Sequence, residues 1–178
     1  MRKLLLATLM VAVLAFGVAA VTTDNATSVF TVGNDEIAVL DVYGTAGNLL
    51  LVAPASGGDT PPAVSDNTTY LQYTVVVISA ATKKITAQIT TGSLPAGTLL
   101  KITTIPDVGG LEGTAVSATS VTTVSAANVV TLIPSCATGT GVTDGAQVTW
   151  ELSVNAIASM ASTTAASITI TYILTDTA

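Results

Sequence analysis

The sequence predicts an all-β protein, an antiparallel β-sandwich of the immunoglobulin-like or jelly-roll kind, following an N-terminal signal peptide. Three observations carry that expectation. Apolar and polar residues alternate with period two in segment after segment, as half-buried strands do, and no stretch sustains a helical period. Pro and Gly clusters at Pro54 to Pro62, Pro106 to Gly113 and Pro134 to Gly145 separate those segments. Threonine, β-branched and at home in strands, supplies 32 of the 178 residues.

The chain opens on the basic Met1-Arg2-Lys3, continues through an uncharged apolar stretch from Leu4 to Val18 and reaches the small residues Ala19 and Ala20. Those are the three parts of a secretory signal peptide. A membrane anchor needs about 20 apolar residues, and Thr22-Thr23-Asp24-Asn25 breaks the stretch first, which favours cleavage near Ala20 over an anchor or a pilin-type helix. The expected division is a signal peptide at 1–20, an N-terminal segment at 21–33 and one β-sandwich domain at 34–178.

Strands are expected at Val29 to Val32, Ile37 to Tyr43, Asn48 to Val52 and Tyr70 to Ser79. Ile85, Ala87 and Ile89 alternate with Thr86, Gln88 and Thr90; Leu100 and Ile102 alternate with Lys101 and Thr103. With the turn Gly92-Ser93-Leu94-Pro95-Ala96-Gly97 between them, these two read as one antiparallel pair. Val116 to Val124, Val129 to Ile133, Val148 to Val154 and Ile168 to Leu174 complete the set, and the Ala- and Ser-rich stretch from Asn155 to Ala166 reads as a crossing loop with one helical turn.

Composition excludes several kinds of chemistry. The chain has no histidine, so neither a Ser-His-Asp nor a Cys-His arrangement can be assembled. Paired acids at Asp35 and Glu36 or at Asp59 and Asp66 are the remaining route to glycoside hydrolysis, but aromatic sugar platforms are scarce, with Trp150 the sole tryptophan. The expectation is no enzyme and no cofactor. Loop acids, Asp144 among them, suit a structural calcium ion, yet they match no EF-hand spacing and read first as solvated. After cleavage near Ala20 three lysines face 11 acids, a net charge of −8, which argues against nucleic acid and anionic membranes as partners.

Charged residues make up only 9% of the chain, so hydroxyls form its surface. Hydroxyls are cheaper to bury than unpaired charges, and interface cores are depleted in charge, so such a surface suits packing against copies of itself. Ala26, Ser28, Phe30 and Val32 alternate with Thr27, Val29 and Thr31 just behind a polar tail. The run is either the domain's first strand or a donor strand that completes a neighbour's sheet. Cys136, the sole cysteine, reads as a small buried residue or as half of an intermolecular disulfide. Asn25 and Asn67 stand in N-glycosylation triplets.

The order of strand Lys83-Lys84-Ile85-Thr86-Ala87, turn Ser93-Leu94-Pro95-Ala96-Gly97-Thr98 with Leu100 behind it, and final alternating strand Ser167 to Thr175 resembles small secreted fimbrial and spore-coat-like subunits. The resemblance covers residues 70 to 178. It implies a sandwich that polymerises outside the cell by exchanging a terminal strand. Chaperone-usher pilins commonly carry a disulfide pair, from which the single Cys136 departs. The expectation is thus an extracellular, cell-surface subunit whose partners are its own copies. The competing expectation is a secreted monomeric carbohydrate-binding or adhesive module, with Tyr43, Tyr70 and Tyr73 in loops as sugar platforms.

Overall fold

The structure, a computed structural model, describes residues 33, 35–45, 47–108, 110–160 and 167–177. The signal peptide, the expected strand Val29 to Val32, the donor-strand residues Ala26, Ser28, Phe30 and Val32, and Asn25 lie outside the described residues. From Asp35 onward the chain forms one compact unit.

That unit is antiparallel β throughout. Its strands are β1 (Ile37–Tyr43), β2 (Val64–Val76), β3 (Lys83–Thr91), β4 (Thr98–Ile105), β5 (Thr114–Ser120), β6 (Ala127–Ile133), β7 (Cys136–Ala137), β8 (Ala146–Val154) and β9 (Thr169–Asp176). They join in a single sheet in the order β1-β2-β8-β4-β5-β6-β3-β9, with β7 also on β2. The sequence predicts two separate layers; the structure has one sheet nearly closed into a barrel.

The corner is β5, which pairs with β4 through Val116, Thr119 and Ser120 and with β6 through Thr114 and Ala115. Two further ties hold the walls together there. The buried Thr104 hydroxyl donates to the Val129 carbonyl. Beyond β5 the Val121 N–H donates to Leu100 on β4, and the Ile89 N–H on β3 donates to Thr122, at 3.0 Å each.

Period-two alternation builds the core as expected. Leu71, Tyr73 and Val75 of β2, Ile85, Ala87 and Ile89 of β3, and Val148, Trp150 and Leu152 of β8 are buried, while residues between them face outward. Trp150 spans the interior to the Tyr172 ring on β9, centroids 6.5 Å apart and planes tilted by 53°, an arrangement aromatic pairs favour.

Two local expectations need correction. β3 and β4 are not a hairpin pair: β3 lies between β6 and β9, and β4 between β5 and β8. Their connection crosses from one wall to the other and is anchored where the Gly97 carbonyl accepts the N–H groups of Asn155 and Ala156, at 2.8 and 3.0 Å. Gly97 has φ +77°, and a Cβ there would press on Met160, so the crossing requires glycine. Asn48 to Val52 alternates as a strand should, Leu49 and Leu51 on the core and Leu50 and Val52 exposed, but it joins no ladder. The expected helical turn between β8 and β9 is a single 3-10 turn at Ile157–Ser159.

Between Lys83 and Ile85 on β3 the register with β6 slips, and Leu132 takes up the extra residue with φ +53°. A bulged residue in the left-handed region disfavours a side chain by about 1–2 kcal/mol, and Leu132 is 54% exposed, so little burial offsets that cost. Leu132→Asn, which tolerates this conformation, is expected to raise the urea midpoint by up to about 1 kcal/mol of stability; the β-branched Leu132→Val lowers it. Equal midpoints for the two variants would contradict a strained bulge.

Candidate functional site

Rolling a sheet leaves two edges. Among the described residues they are β1, which pairs with β2, and β9, which pairs with β3. The two run alongside one another without a backbone ladder between them. Each therefore presents unpaired N–H and C=O groups along its outer side.

What joins them at the foot of the seam is a side chain. Lys83 opens β3 with the same parity as Ile85, Ala87 and Ile89, so its side chain points inward and is only 8% exposed. Its ammonium lies 2.6 Å from Glu36, just ahead of β1, and 2.7 Å from Asp176 at the end of β9. The hydrogen bond to Asp176, then that to Glu36, holds the Lys83 pKa above its ordinary 10.5. An inward ammonium needs partners, and both carboxylates keep solvent exposure on their far sides. The parity that marked Ile85 as inward could have found Lys83 in the sequence.

Above this foot β1 is exposed along almost its whole length, with Val39 at 58% and Tyr43 at 41%. On β9, Ile170, Tyr172 and Leu174 lean on the core. Burial holds the Tyr172 phenol well above its usual range.

The other expected site residues are scattered. Cys136 sits on β7 opposite Val75, partly buried against the core, and burial followed by the nearby Glu112 pushes its thiol pKa up. Both effects disfavour the thiolate, the reactive form. Asn67 is exposed at the register shift between Asp66 and Thr69 on β2. Asp66 orders that shift by accepting from the Thr68 N–H and hydroxyl, Asp144 holds its own loop through the Gly141 N–H at 2.6 Å, and Glu36 is engaged by Lys83. Among the described residues no group of three His, Cys, Asp or Glu side chains is placed to hold a metal ion.

The tyrosines do not lie in loops. Tyr73 is 3% exposed, its hydroxyl donates to the Glu112 carbonyl at 2.6 Å, and burial raises its pKa far beyond the ordinary 10.0, which removes it as a sugar platform. Tyr43 and Tyr70 are cross-strand partners on β1 and β2. Tyr70 also lines a shallow open depression with Pro106, Asp107, Thr143 and Gln147, where the Gln147 amide donates to the Tyr70 hydroxyl at 3.1 Å.

No protein-family model matches the chain, and neither a curated protein nor a solved structure matches it. Fold and site together define an antiparallel, nearly closed β-barrel with a side-chain-latched seam.

The latch has a pH signature. Because the folded pKa of Lys83 is raised, its contribution is full at neutral pH and is lost as pH rises from 10.5 through the folded value. Tyr73 and Tyr172 act in the same direction above 10.0, since their phenols ionise first in the unfolded chain. Lys83→Met leaves the tyrosines untouched, so the difference in urea midpoint between the native chain and this variant should hold steady up to about pH 10 and shrink above it. A difference that persists unchanged into strong alkali would show that Lys83 is not the tie.

Proposed function

We propose that this protein is a structural subunit of an extracellular filament, tube or pilus-like assembly, non-enzymatic, exported by a signal peptide at 1–20 and self-associating by β-strand complementation. The observation that carries this reading is the pair of unladdered edges meeting at one seam. A strand added to either edge pairs a whole row of N–H and C=O groups at once, a far larger gain than any single side-chain contact. The seam's two sides belong to different strands, so an added segment makes a head-to-tail contact, and such contacts run on as an open filament where the rotation between copies does not close a ring.

The low charge fits the same role. Outward positions on β3, β8 and β9 are mostly Thr, Gln and Ser, with few ions to desolvate when subunits pack. In this reading the two walls of the barrel act as the two layers of the immunoglobulin-like or jelly-roll sandwich predicted from the sequence. The donor is the segment 21–33 or the terminal strand β9, Cys136 is structural, and the cell surface is the site of action.

A second reading, a secreted monomeric carbohydrate-binding module, is favoured by the depression in which Tyr70, Asp107 and Gln147 converge. Negative-stain microscopy with light scattering separates the two. The exported chain is expected to form regular high-mass assemblies at micromolar concentration, and removal of residues 21–33 should leave soluble monomers or prevent folding. Undiminished fibres after that removal would discard the segment as donor, while a monodisperse monomer that retains glycans on an array would favour the binding module.

A further inference from the structure

The outward face of β1 is more apolar than those of β3 and β8. Outward residues on β3 are Lys84, Thr86, Gln88 and Thr90, and those on β8 are Gln147, Thr149, Glu151 and Ser153. On β1, where Leu40 packs on the core, parity turns Ile37, Val39, Asp41 and Tyr43 outward. Three of those four are large and apolar, and they are 39%, 58% and 41% exposed in that order. A strand apolar on both faces has the composition of one buried on both faces, yet among the described residues nothing covers the edge of β1.

Neighbouring features extend the patch. Ile37 faces Val76 and Tyr43 faces Tyr70 across the β1–β2 ladder, which widens the apolar strip. Beyond the bend at Gly44, Leu49 to Val52 is apolar and joins no ladder among the described residues, leaving Leu50 and Val52 at 64% and 54% exposure. Among the described residues β1 is an edge strand whose outward face carries three exposed large apolar side chains.

Resting on the filament reading, we propose that β1 is the acceptor edge and that its occupant is residues 26–32 of a second copy, whose body covers the outward strip of Ile37, Val39 and Tyr43. Three arguments select this occupant. After cleavage near Ala20 a leading segment of twelve residues, 21–32, precedes the described chain, and at about 3.3–3.6 Å per residue it reaches roughly 40 Å, enough to span from one subunit to the next. The run Ala26 to Val32 has seven residues, the same length as β1, and carries no charge, so it brings no ion to the contact beyond Asp41 of β1 itself. A chain folding its own 26–32 back onto β1 would cover the edge and leave the outward strip in water, whereas a donated strand arrives with a subunit attached.

The experiment uses the full chain exported with its own N-terminal segment, in two arms. In the first, Val39→Lys places a charge on the outward strip at a position already in solvent. High-mass assemblies should be lost while the far-ultraviolet circular dichroism and melting temperature stay at native values. Assemblies undiminished in Val39→Lys overturn β1 as acceptor and leave the filament reading standing; a native chain that never assembles overturns both. In the second arm, on a Cys136→Ser background, chains carrying Val29→Cys or Phe30→Cys, one for each face of the donor, are mixed with chains carrying Val39→Cys or Leu40→Cys and oxidised. A disulfide-linked heterodimer supports donation between copies. Cross-linking that occurs only within a chain bearing both substitutions shows self-complementation and overturns the proposal, as does the absence of any cross-link among assembled chains.

Discussion

Among the described residues the inward Lys83 ammonium ties the start of β1 to the end of β9, between which no backbone ladder runs. Every other neighbouring pair in the sheet is held by a ladder. At the seam Lys83 reaches Glu36 on one side and Asp176 on the other, so the ends of the sheet are pinned at their foot and left unpaired above it. Closing a sheet removes its edges, and edges are what make β proteins associate. A barrel pinned at one end by side chains keeps its fold while preserving two edges.

The surface chemistry follows the same logic. Ordinary domains keep apart with charged surfaces, near a quarter of their residues, whereas this chain has 9% charged residues and replaces them with threonine. Threonine satisfies the strand conformation with its branched carbon and offers a hydroxyl that either bonds to water or is buried at modest cost. Thr90 and Thr171 bond to each other across β3 and β9 at 2.9 Å, which shows hydroxyls supplying surface contacts that ions supply elsewhere. The outward face of β1 has no threonine or serine at all.

Much of the fold was legible because period two is a strong signal wherever one face is buried. Ile37 to Tyr43 has the observed bounds of β1, and the alternation around Trp150 and Ile170 located β8 and β9. What failed did so for physical reasons. β2 begins at Val64 because Val64, Ser65 and Asp66 ladder with β8 ahead of a register shift at Asn67 and Thr68, and no apolar alternation announces that polar run. β7 is two residues long and exists because the Thr138 hydroxyl accepts the Tyr73 N–H while Tyr73 accepts from Thr138. Strand order is a property of long-range partners, so the turn at Gly92 to Gly97 looked like a hairpin and is a crossing. Lys83 was passed over because a lysine beside Lys84 reads as solvent-facing, although parity placed it inward.

As the proposed acceptor edge, β1 would be free in the isolated subunit and paired in the assembly. Amide hydrogen exchange measured residue by residue addresses it directly. In dispersed subunits, alternate amides of residues 37–43, those not bonded to β2, should exchange at rates near those of exposed chain, and in assembled material the same amides should become protected by several orders of magnitude. Protection of all β1 amides in the dispersed subunit, or rates in that strand unaltered by assembly, would contradict the account.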